Sequence, residues 1–108
     1  MGMVDVRAEL VGMRAVLDGG EFRWLGLLGE FDAREGWADE GFLSPVAWLE
    51  ANCGLSRVAA SERVRIARQL RRRPVFAAAV AAGGLSYSKV RAIARLDPRG
   101  VDEVDRVL

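Results

Sequence analysis

Repeated signals for starting and stopping a helix restrict the fold of this sequence more than any other feature. Candidate helix starts recur at Ser44-Pro45, Ser56, Pro74 and Ser86, and candidate stops recur at Gly54, Pro74 and Gly83-Gly84. Serine is a preferred N-cap, proline is favoured at the first helical position, and glycine commonly ends a helix. The segments between these signals lack the strict apolar-polar alternation of strands. The sequence therefore predicts an all-α fold, a bundle of about five to six helices.

The predicted helices cover most of the chain. Two segments come first, 3–17 and 21–34, with apolar residues at helical spacing. Gly19-Gly20 lies between them and predicts either a kink or a true break, since two glycines lower helix propensity by about 2 kcal/mol. An acidic connecting loop is expected over 36–43, with Trp37 and Phe42 against the core. Further helices are predicted over the ranges 45–53, 57–72, 74–82, 87–96 and 97–108.

The length and residue usage narrow the class of protein. The chain has 108 residues, which suits a single domain over 1–108. It contains no histidine, which excludes catalytic triads, Cys–His pairs and His-ligated zinc sites. Cys53 is the one cysteine, so no intrachain disulfide can form and a reducing cytoplasm is expected. We therefore expect a protein that is not an enzyme.

Membrane and cofactor binding are not predicted either. The N-terminus lacks the basic and apolar regions of a secretory signal. The longest apolar run covers 75–82, far short of the roughly 20 residues that span a bilayer. No phosphate-binding glycine motif follows a strand, and the acids between 30 and 40 match no metal-binding loop. We expect no cofactor, no metal site and no membrane partner.

Charge is distributed unevenly along the chain. The formal net charge is +1, yet residues 1–54 carry −6 and residues 55–108 carry +7. Fifteen of the sixteen basic residues are arginine, which genomic codon bias can explain, although that bias does not explain their position. Such polarity indicates that the C-terminal half contacts a polyanion or an acidic partner.

The segment 57–73 concentrates this charge on one side of a predicted helix. A helical wheel places an apolar sector toward the core, formed by Ala59, Ala60, Val64, Ala67 and Leu70. The opposite side carries a stripe formed by Arg57, Ser61, Arg65, Arg68 and Arg72. An ordinary solvated face would mix charges of both signs, and this stripe contains no acid. We predict that Arg57, Arg65, Arg68 and Arg72 contact phosphates, with a plain solvated face as the alternative.

A second candidate surface follows in the segment 79–95. Helix, a tight Gly83-Gly84-Leu85 turn and another helix have the spacing of a helix-turn-helix pair. Leu85, Val90 and Ile93 are expected to pack the second helix onto the first. The outward-facing side chains are then Ser88, Lys89, Arg91 and Arg95, which could reach base edges or phosphates in a groove of DNA. The alternative is a plain pair of antiparallel helices within the bundle.

The sequence also resembles a known family. The residues that carry the resemblance are Glu30 to Arg34, Gly36-Trp37, Ser44, Ala47 to Leu49, Gly54 to Ser56, Ala67, Leu70, Pro74, Gly84 to Ser86 and Val90 to Ile93. Over roughly 10–108 they are similar to the actinobacterial domain of unknown function numbered 222, which includes mycobacterial repeat-element proteins. Members commonly continue into an HNH endonuclease. The resemblance implies an all-helical N-terminal module attached to DNA-cleaving machinery, and no catalytic residue is carried over because this chain lacks histidine.

Three hypotheses of function follow. The first is a non-catalytic module that binds or positions DNA for a nuclease, either fused in relatives or supplied as a separate subunit. The second is a protein-interaction bundle that forms homo-oligomers, for example by docking an acidic half onto a basic half. The third is a fragment, truncated paralogue or decayed gene product without independent activity, since the last predicted helix is still running at residue 108.

Overall fold

The computed structural model describes residues 2–96, which form six α-helices and no strand. The helices are α1 (Met3–Ala33), α2 (Gly36–Asp39), α3 (Pro45–Cys53), α4 (Arg57–Arg72), α5 (Pro74–Ala81) and α6 (Tyr87–Ala94). The predicted all-α class is confirmed. The helix predicted over 97–108 lies outside the described residues.

Serine caps begin three of the helices, as the sequence predicts. The hydroxyl oxygens of Ser44, Ser56 and Ser86 each accept a hydrogen bond from the backbone N–H three residues later, at 3.1, 3.1 and 3.3 Å. These bonds satisfy backbone donors that have no partner within the helix. The starts of α3, α4 and α6 are therefore fixed by local chemistry.

Helix α1 runs without a break through Gly19-Gly20. Its 31 residues correspond to a length of about 45 Å. The buried residues of α1 all belong to its C-terminal half, where Leu25 and Leu28 enter the core. The N-terminal half extends past the core and exposes most of its side chains. The break considered from the sequence is therefore absent.

The core is organised around α4, against which α1, α3, α5 and α6 all pack. Its main members are Leu25, Leu28, Leu49, Ala60, Val64, Ile66, Ala67, Phe76, Val80, Val90 and Ala94. Of the sector predicted on α4, Ala60, Val64 and Ala67 are buried, whereas Ala59 and Leu70 are half-buried. Ile66, which adjoins that sector, is fully buried.

The acidic segment after α1 is more regular than predicted. Gly36–Asp39 forms one helical turn, α2, rather than an extended loop. Glu35 precedes this turn in the left-handed conformation, with φ of 53°. Trp37 and Phe42 are half-buried, but contrary to the expectation from the sequence neither belongs to the described side chains that pack against the core. Nearby, the rings of Phe31 and Trp48 lie 4.5 Å apart and join α1 to α3.

Arg73 occupies the corner between α4 and α5. Only 3% of its surface is exposed, and its guanidinium lies 4.7 Å above the ring of buried Phe76. Its Nη1 donates to the carbonyl of Ile93 in the last turn of α6, at 3.2 Å. One side chain thus joins α4, α5 and α6. Among residues 2–96, no helix combines the length and the apolar character needed to cross a membrane.

Two glycine substitutions should change stability in opposite directions. Gly19→Ala is expected to raise the free energy of unfolding by up to about 1 kcal/mol, because alanine favours helix and a Cβ at this position has open space around it. Gly36→Ala is expected to lower it, because the new Cβ would lie 2.6 Å from ring carbons of Phe31, which Trp48 holds in place. Urea denaturation followed by circular dichroism measures both changes. Shifts of the same sign would contradict the continuous helix or the tight contact.

Candidate nucleic-acid interface

Three of the predicted arginines line a single groove between α4 and α6. Arg57 and Arg65 come from α4 and Arg95 comes from the end of α6. The groove has a volume of about 510 Å³, and its remaining described walls are Val58, Ser61 and Glu62. We call this site the arginine groove. The structure thus brings together residues that are separated by up to 38 positions in the sequence.

Glu62 lines the arginine groove and was not predicted as a site residue. Its carboxylate lies 3.6 Å from Arg95 Nη2, 3.9 Å from Arg91 Nε and 4.0 Å from Arg63 Nη1. The hydroxyl of Tyr87 donates a 2.9 Å hydrogen bond to Glu62 Oε1. A usable signal was present in the sequence, because Glu62 is the only acidic residue between positions 55 and 96.

The surroundings of Tyr87 change its acidity. Burial, followed by the hydrogen bond to Glu62, raises the pKa of Tyr87 to about 12. The guanidinium of Arg63 lies 4.9 Å from the centre of the tyrosine ring and opposes this shift. Arg63 also forms a 3.2 Å hydrogen-bonded ion pair with Glu21 of α1. Tyr87 therefore stays protonated and holds one oxygen of Glu62 in place.

Arg68, predicted to contact a phosphate, forms an ion pair within the protein. Its Nε and Nη2 donate to the two carboxylate oxygens of Asp32 on α1, at 2.7 and 3.0 Å. Hydrogen bonding to Asp32 raises the pKa of Arg68 above its ordinary value. The stripe is consequently not free of acids once the chain folds, because α1 supplies Asp32 and α4 itself supplies Glu62.

Three further predicted residues are exposed but do not line the arginine groove. Arg72 lies at the C-terminal end of α4, and Ser88 and Lys89 lie in the first turn of α6. Ser88, Arg91 and Arg95 are spaced by three and four residues and so share one face of α6. That face continues from the groove toward the start of α6.

The predicted helix-turn-helix-like pair needs a correction. Gly83 and Gly84 form the expected turn, with φ values of 84° and 86°. Val90 is fully buried, and Leu85 and Ile93 pack against the core. However, the main neighbour of α6 is α4 rather than α5. Since α4 is the central helix of the bundle, it provides the surface on which α6 docks.

Two further features are of a different kind. A larger groove of about 850 Å³ lies between α1, α4 and α5, and apolar residues such as Phe22, Leu70 and Val80 contribute to its walls. Within residues 2–96, no group of three or more cysteine and acidic side chains is placed to hold a metal ion. The larger groove also carries three arginines and one carboxylate, which are Arg14, Arg23, Arg71 and Asp18. The arginine groove differs from it in being lined by arginines that the sequence predicts as site residues.

Comparison with known proteins places the chain in a family. The family model for the domain of unknown function DUF222 matches residues 5–107, which is nearly the whole sequence. The chain belongs to the DUF222 family. No curated protein and no solved structure shows a significant match.

The acidity of Tyr87 can be tested directly, because it is the only tyrosine in the chain. We expect the ultraviolet absorbance of the phenolate to titrate near pH 12 in the folded protein and near pH 10 after denaturation in urea. The stabilising contribution of Tyr87 is then present below pH 10 and lost as the pH rises through 12. Glu62→Gln should lower the folded value without restoring 10, since burial persists. An unshifted folded titration would contradict the contact.

The pair between Arg68 and Asp32 should contribute to stability. Arg68→Met is expected to lower the free energy of unfolding by about 1 kcal/mol, because it leaves the carboxylate of Asp32, whose side chain is only 11% exposed, without its bidentate partner. Arg72→Met removes the same charge at an exposed position and should have little effect. Thermal unfolding of both variants provides the comparison. Equal losses would show that the pair is unimportant.

Proposed function

We propose that this protein is a non-catalytic module that binds or positions DNA for a nuclease. The observation that carries the proposal is the arginine groove, where Arg57, Arg65 and Arg95 line one concave site. Arginine suits phosphate because its planar guanidinium can donate two parallel hydrogen bonds. The same groove is where a duplex backbone would enter.

The charge balance of the arginine groove favours an anion. Among the described residues that line it, Glu62 is the one carboxylate, against three arginines. Arg91 and Arg95 lie 3.9 and 3.6 Å from that carboxylate, longer than the roughly 2.7–2.9 Å of a charge-assisted hydrogen bond. A phosphate can therefore replace Glu62 as the partner of these arginines without breaking a short hydrogen bond to it.

Exposed residues outside the groove would extend the proposed contact. Arg57 and Arg72 mark the two ends of α4, about 22 Å apart along the helix, which matches the axial rise of about six to seven base pairs. Ser88 and Lys89 would contact the same duplex from the start of α6. Arg68 is left out of this set, because two of its five N–H donors are committed to the ion pair with Asp32.

The proposed link to a nuclease depends on the resemblance of this chain to longer members of the family. Longer actinobacterial relatives commonly continue into an HNH domain, which uses histidine, and this chain has none. The catalytic step is therefore assigned to a nuclease fused in relatives or supplied as a separate subunit. Such a module would act in the cytoplasm, where the DNA is.

The proposal predicts salt-dependent binding to a DNA duplex. The logarithm of affinity should fall linearly with the logarithm of salt concentration. The slope is negative, and its magnitude should decrease by about 0.9 for each phosphate contact that is removed. The double variant Arg65→Gln with Arg95→Gln removes two proposed contacts. The matched control, Arg23→Gln with Arg34→Gln, removes two exposed arginines from α1 and its C-terminal end, so the net charge changes equally. Fluorescence anisotropy of a labelled duplex measures the slopes.

The first variant should reduce the slope and the control should retain it. Glu62→Gln should act in the opposite direction and tighten binding, because it removes the carboxylate that competes with phosphate. Affinity that does not change between low and moderate salt, or equal losses in the two double variants, would reject the DNA proposal. Metal-dependent nicking by the purified chain would reject its non-catalytic part.

A further inference from the structure

The N-terminal half of α1 carries an apolar stripe that residues 2–96 leave uncovered. Met3, Val6, Leu10, Met13 and Leu17 recur at alternating spacings of three and four residues. Val6 is half-buried, and the other four expose 57–66% of their surface. Isolated apolar residues are common on protein surfaces, but five in one row call for a partner.

The spacing of this row is that of a coiled-coil seam. With Met3 at position a of a heptad, Leu10 and Leu17 also take a, and Val6 and Met13 take d. The next d position is Gly20, and the next a position is occupied by Trp24, which packs against the core of its own chain. The seam therefore ends where the body of the protein begins.

The seam belongs to a helix that is already anchored. An isolated helix of about 15 residues is marginal in water because nucleation is costly. Residues 3–17 instead continue directly into the buried part of α1, where Leu25 and Leu28 lie in the core. A partner would therefore meet a preformed helix.

The charged residues beside the seam favour a second copy of this helix as the partner, and a parallel orientation of the two helices. Arg7 and Arg14 take e positions, and Glu9 takes the intervening g position on the other side. In a parallel, in-register pair of identical helices, a g residue faces the e residue of the next heptad, so Glu9 of each copy faces Arg14 of the other. In an antiparallel pair, e faces e and g faces g, which brings arginine against arginine and Glu9 toward Glu9.

We infer that α1 pairs with α1 of a second copy of this chain, as a parallel, in-register coiled coil over residues 3–17. Arg14 can make the new contact readily, because its Nη1 lies 3.7 Å from Asp18 and its side chain is 69% exposed. The interface uses none of the residues assigned to the arginine groove. The test of this interface is therefore independent of whether the protein binds DNA.

Sedimentation of the full chain over a range of concentrations tests the interface. The wild type should show a monomer–dimer equilibrium. Leu10→Glu should shift it to monomer, because a carboxylate at position a would be buried in the seam. Ala8→Glu is the matched control, since Ala8 is exposed on the opposite side of the same helix and should leave dimerisation unchanged. Circular dichroism should show that both variants remain folded.

Charge exchange tests the pairing of Glu9 with Arg14. Glu9→Arg and Arg14→Glu should each weaken self-association by about tenfold, because two attractive contacts become repulsive in each homodimer. An equimolar mixture of the two variants should recover wild-type affinity, because every contact in the mixed dimer again joins opposite charges. Failure of the mixture to recover would overturn this pairing.

Cross-linking tests the direction. In a Cys53→Ser background, which removes the exposed native cysteine, Val6→Cys should form an intermolecular disulfide under mild oxidation. A parallel, in-register pair brings the two copies of position 6 together, as a disulfide requires, whereas an antiparallel pair separates them. A monomeric wild type, a dimer indifferent to Leu10→Glu, or no cross-link in the dimer would overturn the inference.

Discussion

Four helices pack against α4, and this constraint decides where the charges of the C-terminal half can lie. One side of α4 is buried through Ala60, Val64, Ile66 and Ala67, so most of its arginines lie on the opposite, exposed side. An unpaired guanidinium in the core would be costly. Arg68 lies at the contact between α4 and α1, where it pairs with Asp32. Arg57 and Arg65 lie in the groove between α4 and α6. The arginine groove is thus a consequence of how the bundle packs.

The opposite charges of the two halves are partly satisfied within the molecule. Arg63 pairs with Glu21 and Arg68 with Asp32, so each pair joins the basic half to the acidic half. These arginines stabilise the packing of α1 on α4. The exposed positive charge that remains outside these pairs is smaller than the sequence alone suggests.

The helices could be predicted because their limits depend on local chemistry. A serine N-cap, a first-turn proline or a glycine stop acts within a few residues of its own position. The single turn Gly36–Asp39 escaped prediction because no such signal marks it. The acidic partners of the arginines could not be predicted from the sequence, for a different reason. Asp32 lies 36 residues from Arg68 and Glu62 lies 25 residues from Tyr87, so only the tertiary fold brings them together.

The buried corner at Arg73 has a consequence for how this surface can vary. Its guanidinium holds the carbonyl of Ile93 and lies over Phe76, so the pose of α6 is set from its inner side and from its last turn. Ser88 and Lys89 take no part in that attachment. Substitutions at these two outer positions can therefore change the exposed surface of α6 while its angle on the bundle stays fixed, so that surface can vary in evolution without disturbing the architecture.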